Sequence, residues 1–389
     1  MTKSIQYINQ PGPIGGPDAG RFSGGDQRPT MAMIEITNRC NMSCPVCFAD
    51  SGAAASDINL EAARLRINKL KSIAGAIPLQ ISGGEPTLHP RLPEIIEYAK
   101  SSGFRNIELI SNGIRISREP DYLPLLKKAG LTAVYLQFDG LKKETHLALR
   151  GQNMVEIREK SVTAIRKAQL CCTLAIPVAR GINDREIGDI IGFGIENIDT
   201  VRAINFQSAA RFAGRYELES STSGYSLAEL ITLIERESGI PPGGFLTDVL
   251  GHPHCNAISL VYVIGDHLEP LFNHLSRDKL MAFLGNDKQS KILDLFMGKE
   301  RFCRKYLVNP KSWQILIEAA SIFGSSPNLK SILQARHLLL FAKSFMEKQT
   351  LDVNRIDQCC YGIATEEGVY SFCSYNNLHR FKGSKTNDT

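Results

Sequence analysis

Nothing in this chain is apolar for long enough to cross a bilayer. The longest run, Leu338-Leu339-Leu340-Phe341-Ala342, falls far short of the ~20 residues that a spanning helix needs. The N-terminus, M-T-K-S-I-Q-Y, lacks the apolar core of a secretory signal, so the expected location is the cytoplasm. A dominant charge is lacking too. The 45 Lys and Arg against 40 Asp and Glu leave a net +5, which permits an anionic substrate or a membrane surface and gives no reason to expect nucleic acid. Ten cysteines among 389 residues are too sparse for a disulfide scaffold, which is short and dense in Cys. Clustered as they are, they read as reduced and metal-binding.

What remains is ordinary for a globular protein: 43% hydrophobic and 22% charged, with length for two domains of ~150 residues each. Residues 1–30 are rich in Gly and Pro and read as an arm. From Met31 short apolar runs alternate with amphipathic stretches. The runs are Met31–Thr37, Pro78–Ser82, Asn106–Ser111, Ala133–Phe138, Cys172–Val178 and Ala203–Gln207. Helices are expected near Leu60–Ala74, Pro90–Ser101, Tyr122–Ala129, Met154–Ala168 and Asp184–Ile195. This alternation predicts an α/β fold over residues 31–215, with six units favouring a partial (β/α)6 barrel and catalytic loops at the C-terminal ends of its strands. Residues 216–389 read as a mostly helical, Cys-containing C-terminal domain, with helices expected over Leu227–Glu237, Asp278–Phe296 and Leu329–Glu347.

Directly after the first strand stands R-C-N-M-S-C-P-V-C-F, placing Cys40, Cys44 and Cys47 in C-x3-C-x2-C spacing. Thiolates so close together suit zinc or an iron–sulfur cluster. A structural zinc site wants four closed ligands, usually as paired C-x2-C units, and only one such unit is present. Three ligands on one loop fit a four-iron cubane with one iron open. After the second strand comes S-G-G-E-P-T, in which Gly83 and Gly84 allow close backbone approach and Glu85 adds a carboxylate; alone, it reads equally as a turn. Later strands end in polar groups, among them Ser111, Asn112, Gln137 and Asp139, which turn-capping would also explain. Arg180 and Arg211, just beyond strands five and six, could meet a carboxylate or phosphate. Cys171 and Cys172 open the fifth strand on opposite faces and read as small hydrophobes.

The cysteine triplet with its trailing aromatic, one unit before G-G-E-P, resembles the radical S-adenosylmethionine (SAM) superfamily. The resemblance implies that Cys40, Cys44 and Cys47 bind three irons of a [4Fe–4S] cluster and that SAM completes the fourth. It implies contacts to SAM from Gly83, Gly84, Glu85 (toward the methionyl ammonium), Pro86, Ser111, Asn112, Gln137 and Asp139. It also implies a 5′-deoxyadenosyl radical and a reductase such as ferredoxin or flavodoxin.

The tail carries Cys255, Cys303, Cys359, Cys360 and Cys373, with Gly368 suggesting a hairpin that brings Cys359 or Cys360 near Cys373. The readings are a second [4Fe–4S] cluster, core cysteines, or a zinc site with His254. S-G-G-E-P-T-L-H-P, Y-L-Q-F-D-G, L-R-G, R-G-I-N-D, I-N-F-Q, G-H-P-H-C and F-C-S-Y-N together resemble the tetraether lipid synthase group, some of whose relatives carry a pterin-methyltransferase label. That resemblance implies carbon–carbon coupling on lipid or fatty acyl chains, contact with the membrane surface, and an auxiliary cluster on Cys255, Cys359 and Cys373, with Cys303 or Cys360 as a fourth ligand. The chain departs from the group in two ways. It has no Cys-rich N-terminal module, since residues 1–39 contain no cysteine, and Ala342 stands where the group has a thiol before Phe345-Met346-Glu347. A lipid substrate would need a long apolar channel, for which the helical segment Ile332–Phe345 is a candidate lining; an amphipathic or buried core helix explains the same pattern. The alternatives are a twitch-type enzyme acting on a ribosomal peptide or small metabolite, and a non-enzymatic metal scaffold.

Overall fold

The computed structural model describes residues 18–25, 27–219, 224–285, 318, 322 and 335–381. Its strands are β1 (Met31–Glu35), β2 (Val46–Cys47), β3 (Leu79–Ser82), β4 (Ile107–Ser111), β5 (Ala133–Gln137), β6 (Cys171–Val178), β7 (Val201–Ser208), β8 (Arg215–Tyr216), β9 (Asn256–Ile264), β10 (His267–Pro270), β11 (His337–Lys343), β12 (Tyr361–Ala364) and β13 (Val369–Ser371). Eleven of them form one sheet in the order β10-β9-β11-β7-β6-β5-β4-β3-β1-β12-β13. The six units expected from the sequence are its centre. Consecutive parallel pairing steps outward from β1 through β3 to β7, as right-handed β-α-β crossovers require.

The local reasons are visible in the burial. β3 is buried along its whole length, which is what a central parallel strand covered on both faces demands. The helix Leu60–Ala74 turns Ala63, Ile67, Leu70 and Ala74 inward at helical spacing. Asn59 caps its start by accepting from the Ala62 amide, and Gly75 ends it in a positive-φ conformation. The helix Tyr122–Ala129 matches its expected bounds.

The C-terminal region departs from expectation. The helix expected over Leu329–Glu347 is instead strand β11 over His337–Lys343, parallel to β7 and antiparallel to β9. An apolar run of this length fits a buried strand as well as a helix, and pairing to β7 decides it. β12 runs parallel to β1 on the opposite flank and closes with β13 as the expected hairpin. Eight parallel strands therefore stand side by side, two of them from the C-terminal region. The helix Leu227–Ser238 is present as expected, with a capping box at Ser226 and Glu229. The helix Arg277–Leu284 covers the start of Asp278–Phe296, and the remainder lies outside the described residues.

One ion pair ties the last residues to the first strand. The Arg380 guanidinium donates to Glu35 at 2.6 and 3.0 Å and lies 5.2 Å from the centre of the Phe48 ring. Both side chains are nearly fully buried, at 5% and 7% exposure. Removing one partner of such a pair leaves a bare buried charge. Arg380→Met should therefore cost ~3–5 kcal/mol in denaturant unfolding, and adding Glu35→Gln should recover part of it. A loss below ~1 kcal/mol for the single variant would show the pair to be solvent-screened.

Candidate functional site

A cavity of about 190 Å³ opens at the C-terminal ends of the parallel strands. Cys40, Cys44 and Cys47 all line it, on the loop that follows β1. The loop is pinned from several sides. Arg39 pairs with Asp57 at 2.9 and 2.5 Å and donates to the Leu88 carbonyl at 2.8 Å. Arg215 reaches Ser43 at 3.2 Å, the Cys44 carbonyl at 3.1 Å and Asp50 at 2.8 Å. The short β2–β8 ladder, Val46 to Tyr216 and Cys47 to Arg215, clamps the far end.

The donor set suits a cluster. Burial pushes the Cys40 thiol up to about 12, and burial likewise raises Cys44 despite the nearby Arg150 charge. Thiols pushed this way ionise together only when a metal centre supplies the positive charge. A cubane takes each thiolate on a different iron, so its ligands surround a space and do not meet at a point. Among the described residues, no three His, Cys, Asp or Glu side chains form a group that could hold a single metal ion.

Gly83 and Gly84 line the cavity, and close packing against the cysteine loop explains both. A Cβ on Gly83, at φ +144°, would sit 2.2 Å from the Thr37 carbonyl oxygen, and one on Gly84 2.3 Å from that of Arg39. The Gly84 and Glu85 amides donate to those same two carbonyls, each at 2.8 Å.

Glu85 and Pro86 were expected at the cofactor, but neither lines the cavity. The Glu85 carboxylate accepts from the Thr87 hydroxyl at 2.6 Å, the Thr87 amide at 3.1 Å, the Ser111 hydroxyl at 2.9 Å and the Asn112 amide at 2.7 Å. Burial pushes its carboxyl up while these four bonds pull it down. It locks this loop to the end of β4. Ser111, Asn112 and Gln137 do line the cavity, and Asn112 donates to Asn41 at 2.8 Å.

Asp139 was also expected at the cofactor. It is fully buried, at φ +72°, and does not face the cavity. One oxygen takes Arg150 at 2.9 and 2.5 Å and the other takes Arg158 at 2.9 Å. Burial pushes the carboxyl up, yet the two guanidiniums outweigh it and hold the group below the usual carboxylate range. Arg150 carries the grip onward, to the Val46 carbonyl at 3.3 Å and into contact with the Cys44 sulfur. Arg158 donates to the Asn112 carbonyl. Neither arginine is assigned a role by the motifs around the site. Arg158 could have been found, because it falls on the apolar stripe of its own helix with Val162 and Ile165.

Arg180 and Arg211 do not line the cavity. Arg180 stacks over Tyr225 at 4.0 Å and reaches Glu229 at 3.3 Å, while Arg211 lies over Tyr216 at 5.0 Å. Cys171 is exposed and Cys172 buried, on opposite faces as expected. Cys255, Cys359, Cys360 and Cys373 gather near one another outside this cavity. Burial and then the neighbouring thiols push Cys359 well up. The Cys255 sulfur accepts from Arg355 at 3.2 Å and the Cys373 sulfur from the Met346 amide at 3.4 Å. Cys303 lies outside the described residues.

Residues 34–194 match the family model for the radical SAM superfamily. The chain is 31% identical to the 7,8-dihydro-6-hydroxymethylpterin dimethyltransferase of Methanocaldococcus jannaschii, over 90% of this chain and 77% of that one. It is 31% identical to a probable GTP 3′,8-cyclase of Methanothermobacter thermautotrophicus, over 43% of this chain and 54% of the cyclase. A crystal structure of Streptococcus suis SuiB bound to S-adenosylmethionine aligns with 54% of this chain and 47% of that one, at 18% identity and a TM-score of 0.43.

Asp139→Asn leaves two buried guanidiniums sharing no charge. It should cost ~3–5 kcal/mol and also lower the iron retained after reconstitution, because Arg150 loses its hold on the cysteine loop. Unchanged iron content together with unchanged stability would show that Asp139 does not support the loop.

Proposed function

The chain belongs to the radical SAM superfamily, and we propose that it takes hydrogen from an unactivated carbon of a lipid or fatty acyl chain as the first step toward a new carbon–carbon bond. Enzymes of this superfamily use a [4Fe–4S] cluster and SAM. Here Cys40, Cys44 and Cys47 would hold the cluster, and Gly83, Gly84, Ser111, Asn112 and Gln137 would contact SAM. When bound, this pair supplies a 5′-deoxyadenosyl radical on one-electron reduction by a donor such as ferredoxin or flavodoxin.

The observation that carries the reading is the cavity wall. Phe48, Phe212, Phe345 and Phe372 interlock with ring centres 5.0 to 5.7 Å apart. The cavity's lining residues include no Asp or Glu at all. Such a wall excludes water, takes up an apolar chain, and offers a carbon radical few polar groups to react with. The relatives compared do not act on lipids by name, so the lipid assignment rests on this wall. No helix among the described residues is long and apolar enough to cross a membrane, and a lipid substrate would bring the protein to a bilayer surface.

A second reading has its own observation. The Methanocaldococcus relative, matched over most of its length, is named for a pterin, and a flat heteroaromatic ring would also stack on phenylalanines. We further propose an auxiliary [4Fe–4S] cluster on Cys255, Cys359 and Cys373, with Cys360 or Cys303 as the fourth ligand.

Anaerobically reconstituted protein, given dithionite, SAM and perdeuterated palmitate, should place deuterium in 5′-deoxyadenosine. The Cys44→Ala variant should form no deoxyadenosine above background. Deuterium arriving only from a labelled 6-hydroxymethyl-7,8-dihydropterin would select the pterin reading. About eight irons per chain supports the auxiliary cluster, and about four removes it.

A further inference from the structure

Three cations line the reaction cavity: Arg150, Arg215 and Lys343. Two of them are committed. Arg150 is held by Asp139 at 2.9 Å and Arg215 by Asp50 at 2.8 Å. Lys343 makes no such ion pair among the described residues, and the titratable groups that face it are Glu108, Cys359 and Cys360. Its ammonium lies 5.2 Å from the centre of the Tyr361 ring, and no carboxylate stands on the cavity wall to meet it. It sits at the last residue of β11, the end of the barrel where the chemistry belongs.

Below it lies a second cavity of about 80 Å³. Gln80, Tyr135, Tyr361 and Lys343 line both cavities and form a polar partition between them. The other three partition residues are bonded among themselves or to the sheet. Tyr361 donates to the Gln80 carbonyl oxygen, and the Gln80 amide donates to Glu108 at 2.6 Å. Asn205 and Gln207 donate to the Tyr135 hydroxyl at 2.8 and 2.6 Å.

Glu108, on the wall of the second cavity, is occupied by Gln80 and by Thr173 at 3.1 Å, and burial pushes its carboxyl up, so it is a weak counter-charge. The polar atoms left over are the Lys343 ammonium and the carbonyl oxygen of Asn205, a 97%-buried side chain on the second cavity's wall whose oxygen has no partner. Burial holds the Lys343 ammonium below its usual range, and the titratable groups facing it are Glu108, Cys359 and Cys360, none of them in an ion pair with it; a partly buried cation left without a direct ion pair can be met by a ligand's charge.

We propose that Lys343 binds an anionic end group of the substrate, a carboxylate or a phosphate, at the floor of the reaction cavity, while the apolar body of the substrate lies against the phenylalanine wall. The site then selects an amphiphile: one charged end, one apolar chain. Arginine is absent from this spot, so a bidentate fork is not imposed, and a point charge accepts either kind of anion. The proposal rests on the apolar-substrate reading for the chain and on Lys343 alone for the anion.

Equilibrium binding to the anaerobically reconstituted enzyme, with SAM present, separates the two. The probes are palmitate, hexadecyl phosphate, uncharged hexadecanol, and GTP as an anion without a chain. The wild type should bind the better of the two charged chains about 10- to 100-fold more tightly than hexadecanol. That preference should collapse to within about threefold in Lys343→Met and return in Lys343→Arg, with hexadecanol binding, iron content and melting temperature unchanged.

The order of palmitate and hexadecyl phosphate identifies the anion. Wild-type protein that binds hexadecanol as tightly as both charged chains overturns the anion site and leaves the apolar reading standing, and this result needs no variant. GTP binding that depends on Lys343, with none of the chains bound, keeps the anion site and removes the lipid reading. Anion affinities that Lys343→Met leaves unchanged overturn the proposal, whichever ligand is bound.

Discussion

A single buried carboxylate, Asp139, holds the catalytic end of the barrel together. It is the only acid in contact with two buried guanidiniums among the described ion pairs, and each guanidinium continues to a different part of the site. Arg150 runs to the cysteine loop and Arg158 to the end of β4. The trio carries one net positive charge where three thiolates would gather. Burying these charges is affordable only because each is satisfied on several sides, so the geometry is all or nothing. Glu85 does similar work after β3, with four hydrogen bonds that fix the G-G-E-P loop against β4. The cavity wall is thus held in place by carboxylates that are not among its lining residues.

Much of this was legible in the sequence. The six central strands and their helices follow from alternation of apolar runs with amphipathic stretches, and the helix Leu60–Ala74 begins and ends where its capping Asn and terminal Gly say it should. The triplet Cys40, Cys44 and Cys47 falls on the cavity, as its place after the first strand required. Local pattern fails where long-range pairing decides. Leu338–Ala342 is too short and too uniformly apolar to distinguish helix from strand, and only β7 and β9 settle it. Motif reading likewise finds that Glu85 and Asp139 matter without saying which way they point. Their direction depends on partners 26 and 19 residues away, Ser111 and Arg158, which no local signal names.

The wall of the cavity follows from that long-range assembly. Phe212 and Phe345 come from the loops after β7 and β11, Phe372 from the short helix that follows β13, and Phe48 from the cysteine loop itself. The two C-terminal strands on the flanks of the parallel sheet add residues to the cavity's lining. They deliver Lys343 from β11 and Tyr361 from β12 to its floor. The C-terminal region therefore contributes directly to the cavity's lining, through Lys343, Phe345, Tyr361 and Phe372.

The most direct test of the account is electron paramagnetic resonance of the dithionite-reduced, reconstituted protein with and without SAM. Three thiolates and one open iron predict a reduced-cluster signal whose shape changes when SAM is added, and the loss of that SAM-sensitive signal in Cys40→Ala. A reduced cluster whose spectrum is indifferent to SAM, or one that persists unchanged without Cys40, would contradict the assembly described for the β1 loop.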